Sequence, residues 1–242
     1  MDRVCAVIVT YNRKELLREC LQAVLSQTRP VDHVLVVDNA STDGTAEMLK
    51  EEFPQVEVLR LPENQGGAGG FHEGMKRAYE LGYEWIWVMD DDTFPESSTL
   101  EGLLRGARQY GIDVISPLAV SLENPEELSF PRKMGALYTF RVDAVGGDSI
   151  LWGEHTLFLG VLISRRAVNQ VGLPDPRLFI RGDELEYSLR ISRVGLRKAI
   201  LPWVRVTHPG TRSEFTFFLG KRSGVIYTGN RSCKDLCVRV RV

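Results

Sequence analysis

The chain has 242 residues, 43% hydrophobic and 26% charged, enough to bury one substantial core within a single domain. Its net charge of −2, from 30 basic and 32 acidic residues, gives no basis for a nucleic-acid partner. The longest apolar runs, Val4 to Val9 and Trp85 to Met89, fall far short of the roughly 20 residues of a membrane span, and no basic stretch of a secretory signal precedes the first, so a cytoplasmic protein is expected.

Val4 to Thr10 reads as a buried strand. Leu16, Leu17, Cys20, Leu21, Val24 and Leu25 then recur at helical spacing over Lys14 to Gln27, and Pro30 marks the end of that helix. Val34 to Val37 forms a second strand, after which Ser41 or Thr42 offers a side-chain oxygen to cap a helix running toward Phe53. Val56 to Leu61 is a third strand. Gly66, Gly67, Gly69 and Gly70 lead into a helix through Met75 and Ala78, and Trp85 to Met89 is a fourth strand that ends on three carboxylates. Strands alternating with amphipathic helices predict an α/β, Rossmann-like domain with a mainly parallel central sheet flanked by helices. Beyond Gly111 the pattern loosens: a strand at Val114 to Ala119, a polar loop or small excursion over Ser121 to Arg132, helices at Arg165 to Val171 and Glu184 to Val194, and short strands at Lys198 to Leu201 and Val204 to Thr207.

Ligands of open α/β sheets bind at the carboxyl ends of the strands, and the polar residues of this chain gather there. Asp90, Asp91 and Asp92 would repel one another unless a cation or hydrogen-bond donors compensate, and oxygen ligands of this kind suit Mg²⁺ or Mn²⁺. Asp38 opens a loop of turn-forming, hydrogen-bonding residues, and Thr10, Tyr11 and Asn12 end the first strand at the same edge, where an aromatic ring and polar groups suit a nucleobase. Asn64 and the glycines after it allow close backbone approach.

Four of these segments, VIVTYNR at Val7 to Arg13, VVDNASTDGT at Val36 to Thr45, NQGGAGG at Asn64 to Gly70 and VMDDDTFP at Val88 to Pro95, resemble the motifs of family 2 glycosyltransferases in order and spacing. That resemblance implies a single GT-A domain over residues 1–242. Residues 1–110 would bind the nucleotide-sugar, 111–212 would carry the acceptor and catalytic half, and 213–242 would form a basic tail. It implies nucleotide contacts from Thr10, Tyr11, Asn12, Arg13, Asp38, Asn64, Gly67, Asp90 and Asp91. It also implies a Mn²⁺ or Mg²⁺ site at Asp90 and Asp92, completed by His208. FIRGDELEYSLR at Phe179 to Arg190 is similar to the family's acidic motif, in which a carboxylate at the start of a helix takes the acceptor's proton. The matching base is Glu184 or Asp183. Trp152 and Glu186 fall where relatives contact the acceptor. The pattern looks most like bacterial galactofuranosyl- and rhamnosyltransferases of cell-wall or surface-polysaccharide assembly. It implies direct displacement with inversion, a UDP- or dTDP-sugar donor and a glycan or lipid-linked acceptor.

Two other classes share parts of this pattern. A nucleotidyltransferase would carry a glycine-rich basic loop where this chain has TYNR, and a sugar-nucleotide or glycan binding module would keep the fold without turnover. From Arg205 onward the chain has eight basic and two acidic residues, +6 against −8 for the rest, interleaved with Phe215, Phe217, Phe218 and Tyr227, a composition suited to peripheral contact with an anionic membrane. Cys5 and Cys20 read as core residues, and Cys233 and Cys237 lack a second pair at zinc-ligand spacing.

Overall fold

The structure, a computed structural model, describes residues 2–134, 137–145, 147–180 and 182–211. The first half alternates strand and helix: β1 (Val4–Thr10), α1 (Lys14–Leu25), β2 (His33–Asp38), α2 (Thr45–Glu52), β3 (Glu57–Arg60), α3 (Gly66–Glu80), β4 (Trp85–Asp90), a short β5 (Phe94–Pro95) and α4 (Thr99–Tyr110). The second half comprises β6 (Val114–Ser121), a hairpin of β7 (Glu127–Met134) and β8 (Leu137–Arg141), β9 (Leu151–Trp152), β10 (Leu159–Ser164), α5 (Arg165–Val171), α6 (Asp183–Arg193) and β11 (Lys198–His208).

The central sheet runs in the order β3-β2-β1-β4-β10-β6-β11-β5. β3, β2, β1 and β4 are parallel, as are β6 and β11, while β10 runs antiparallel between the two sets. Both faces of this sheet are covered, which is why β1 is apolar at every position up to Val9 rather than alternating. Val4, Ala6 and Ile8 point to one layer with α1, α2 and α4, and Cys5, Val7 and Val9 point to the other with α3, α5 and α6. Cys5 and Cys20 are buried free thiols, as expected of core residues, and Cys233 and Cys237 lie outside the described residues.

Several local expectations are corrected. The polar segment after β6 is a loop only over 122–126 and then enters β7, the first strand of the β7–β8 hairpin, and the two short strands near the end are one strand, β11, irregular between Leu201 and Arg205. Neither Ser41 nor Thr42 caps α2. The helix follows Gly44 at φ 87°, and Asp43 instead accepts hydrogen bonds from the Thr45 amide and hydroxyl. The glycine stretch does not precede α3 but forms its first turns.

Those glycines serve packing more than ligand approach. A Cβ at Gly70 or Gly74 would stand 2.5 Å from Val9 Cγ1 or 2.4 Å from Val7 Cγ1, so the backbone of α3 rests directly on β1. Gly74→Ala gains about 1 kcal/mol of helix propensity but forces branched valines of a two-sided sheet to move. A net loss of about 1–2 kcal/mol is expected, read as a lower thermal midpoint, and a midpoint at or above wild type would show that the layer is not tightly packed there.

Candidate active site

The carboxyl ends of β1, β2, β4 and β11 converge on one edge, where the chain is held in uncommon backbone conformations. Among the described residues four non-glycines have positive φ: Asn12 (53°), Ala40 (62°), Phe158 (61°) and Phe179 (57°). Asn12 and Ala40 follow β1 and β2, Phe158 O accepts from the Asp90 amide at 2.8 Å, and Phe179 precedes the acidic pair of α6. Strain of this kind is stored where surrounding structure over-determines it, typically at functional sites.

The first two motifs brace each other. Asn12 donates its amide to Ser41 Oγ (2.9 Å) and accepts from the Thr42 amide on Oδ1 (2.7 Å). Asp38 is fully buried; its Oδ1 accepts from the Ser41 amide, while Oδ2 lacks a hydrogen-bond partner and lies 3.7 Å from Arg60 Nη1. Its carboxylate is thus closed off by its own loop, whereas Tyr11, 44% exposed, stands open at the edge. Asn64 Oδ1 is engaged by the Gly66 amide. Of the nearby glycines, Gly66 makes room for the carbonyl of Phe179, 2.1 Å from where a Cβ would be, and Gly67 alone faces open space apart from the Phe71 ring at 3.9 Å. Sequence reading missed Asn39, which is buried and ties β2 to α3 by accepting from the Gln65 amide and donating to Gly66 O. Its place directly after Asp38 was the available signal.

The three aspartates differ sharply. Asp91 points inward, accepts from Thr10 Oγ1 at 2.6 Å and pairs with Arg13 at 3.3 Å; burial raises its carboxyl to about 6 against the pull of those partners. Burial, then the charges of Asp92, Asp91 and Glu184, push Asp90 well above its ordinary value. Asp92 is also desolvated, but His208 and Arg13 outweigh that and hold it below the ordinary range. Arg13 Nη1 reaches Asp92 Oδ2 at 2.7 Å, so the guanidinium assigned to the nucleotide is engaged with the acids.

One point of this cluster fits a divalent cation. His208 Nδ1 is 2.7 Å from Pro209 O, which can only accept, so Nδ1 carries a hydrogen and Nε2 is the nitrogen left to face Asp92. Nε2 lies 3.3 Å from Asp92 Oδ1, a buried oxygen otherwise without a hydrogen-bond partner. A proton on Nε2 or a metal ion between the two atoms satisfies such a pair. Asp90 is not gathered with them, since among the described residues no three His, Cys, Asp or Glu side chains assemble at metal-holding distance.

Asp183 and Glu184 begin α6 after Gly182 at φ 93°. Asp183 is buried with Oδ1 unpartnered, while Glu184 is exposed at the edge and close enough to Asp90 to act on its charge. Desolvation of its carboxyl, then the charge of Asp183 and a hydrogen bond to it, raise Glu184 to about 7. A carboxylate with its proton affinity near neutrality and open to substrate has the properties of a general base.

The two acceptor residues expected from sequence are placed elsewhere or occupied. Trp152 pairs in register with Ala199, at the opposite end of β11 from His208, where it packs edge-on against Tyr110 under Arg197. Glu186 is bound through both oxygens to Arg190, which also donates to the carbonyls of Val171 and Leu173. It positions an arginine rather than facing the edge.

A strand end rich in carboxylates, braced nucleotide-type loops and an acidic helix start on one sheet edge define a glycosyltransferase of the GT-A class. The solved structure of S. aureus TarS 1-349 in complex with UDP shares this fold, with a TM-score of 0.64 and 19% identity over 86% of this chain and 60% of that one. The family model described as glycosyl transferase family 2 matches residues 5–158, and the chain belongs to that family. It is 37% identical to the galactofuranosyltransferase GlfT1 of Mycolicibacterium smegmatis over 98% of this chain and 81% of that one. It is 24% identical to the dTDP-rhamnosyl transferase RfbF of Shigella flexneri over 86% of this chain and 69% of the other.

Proposed function

We propose that the chain transfers galactofuranose from UDP-galactofuranose to a hydroxyl of a glycan or lipid-linked acceptor in cell-wall or surface-polysaccharide synthesis. The observation that carries the chemistry is the exposed Glu184, raised to about 7, beside the Asp90–Asp92 strand end. The higher identity and fuller coverage of the galactofuranosyltransferase favour this sugar over rhamnose.

In this reading residues 1–110 bind the donor, with Tyr11 at the base and Gly67 letting backbone approach the sugar or diphosphate. Glu184 takes the acceptor's hydroxyl proton as the oxygen forms its bond to the anomeric carbon, the bond to the diphosphate oxygen breaks, and UDP leaves. Attack opposite the leaving group inverts the anomeric centre. Asp92 and His208 would hold Mn²⁺ or Mg²⁺, which would neutralise charge developing on the diphosphate. The basic segment 213–242, outside the described residues, belongs to the proposal as a contact with anionic membrane. No helix among the described residues is long and apolar enough to cross a membrane.

Incubation of the full chain with UDP-galactofuranose or dTDP-rhamnose and a glycoside acceptor, followed by proton NMR of the product's anomeric signal, tests this reading. Transfer from the UDP-sugar with inverted configuration is expected. Retention would sink the displacement mechanism, and use of dTDP-rhamnose alone would change the donor. Neither transfer nor donor hydrolysis would leave a binding module.

A further inference from the structure

A cavity of about 480 Å³ lies between the β7–β8 hairpin, β6 and the segment Glu154 to Thr156, within the size range of small-molecule sites. It adjoins the catalytic edge. Phe130, in its wall, is tilted against the His208 ring at 5.3 Å, and neighbouring Ser129 donates to the His208 carbonyl at 3.1 Å. The far wall is pinned in place, because Ser116 Oγ both accepts from the Thr156 amide (3.0 Å) and donates to its carbonyl (3.1 Å).

The polar groups of the cavity favour a hydroxylated, uncharged occupant. Arg132 and Glu154 form an ion pair across it and cancel each other's charge. Burial, then the nearby Lys198 charge, lowers His155 to about 4, so its ring is neutral, and its buried Nδ1 has no hydrogen-bond partner. A neutral imidazole offers one donor and one acceptor, and an ion pair offers both kinds of partner to hydroxyls. Phe130 adds an aromatic surface of the kind that packs against the C–H face of a sugar ring. Lys133 stands exposed at the rim, a single charge and a weak basis for an anion site.

We propose that this cavity is the acceptor-sugar subsite: it holds a neutral sugar ring of the acceptor, with Phe130 against the ring and the Arg132–Glu154 pair and His155 binding its hydroxyls. This rests on the reading of the chain as a sugar transferase, and it replaces Trp152 and Glu186 as acceptor contacts.

Saturation-transfer NMR of octyl galactofuranoside, octyl rhamnoside and octyl glucoside with the full chain, in the presence of UDP, tests it. At least one glycoside is expected to receive saturation on its ring protons, with Phe130→Ala and the near-isosteric Glu154→Gln each weakening it about tenfold and Lys133→Ala weakening it less. The UDP-induced thermal shift should persist in each variant, which separates loss of this subsite from misfolding or a lost donor site. Should Phe130→Ala fail to fold, Glu154→Gln at an exposed position decides. No glycoside binding, or equal binding by wild type and both variants, overturns the proposal. So does a loss carried by Lys133→Ala alone with competition by inorganic phosphate, which would make the cavity an anion site. Wild type lacking both the UDP shift and donor hydrolysis would instead defeat the transferase reading.

Discussion

Glu184→Gln is expected to lower kcat for sugar transfer by about 10²–10⁴ while leaving UDP binding unchanged. The amide keeps the size of the side chain and removes only the group that accepts the proton. Asp183→Asn serves as the counterpart, because its carboxyl is buried and adjoins Glu184 rather than opening on the edge. A large loss from Asp183→Asn beside a small one from Glu184→Gln would reassign the base to Asp183. The pH dependence supplies a second readout. Glu184 acts only when ionised, so kcat/KM should rise with pH through about 7, and a divalent cation near Asp90 would move that limb to lower pH. The sign for stability is opposite. The folded carboxyl holds its proton more tightly than its ordinary value of 4.5 allows, so its contribution is present below that pH and is lost as pH rises through about 7. Glu184→Gln should flatten that loss in a series of thermal midpoints.

The donor half of this fold was legible because its physics is local. Strands buried on both faces appear as unbroken apolar runs, and the motif residues end those runs, so Thr10, Asp38 and Asp90 fell at one sheet edge without coordinates. What the sequence hid was set by contacts between distant segments. The glycines of α3 are poor helix formers, yet they are helical because their missing Cβ atoms let the helix lie on Val7 and Val9. The β7–β8 hairpin carries two prolines nearby and is half exposed, so no clean alternation announced it. Trp152 stands close in sequence to His155 but packs at the far end of β11. The cavity beside His208 draws its walls from β6, β7, β8 and the segment after Trp152, a grouping that no spacing pattern encodes.

Asp92→Asn is expected to reduce kcat/KM by at least about 10²-fold and to remove the difference between UDP-induced thermal shifts in Mn²⁺ and in EDTA. The case rests on the meeting of Asp92 Oδ1 and His208 Nε2 at 3.3 Å, a buried pair that either a proton or a metal ion must bridge. His208→Gln should act in the same direction, and a wild-type UDP shift unchanged by chelation would sink the metal reading. Arg13 gives an independent check. Its guanidinium lies against Asp91 and Asp92, so Arg13→Met leaves three clustered carboxylates with less compensation. Because that guanidinium is half exposed, the loss of stability should be about 1 kcal/mol. With a cation at Asp92 the same charge is balanced from the other side, so the Arg13→Met penalty should shrink in Mn²⁺ and reach its full size in EDTA. Equal penalties in both would mean that the arginine, and no metal ion, neutralises this strand end.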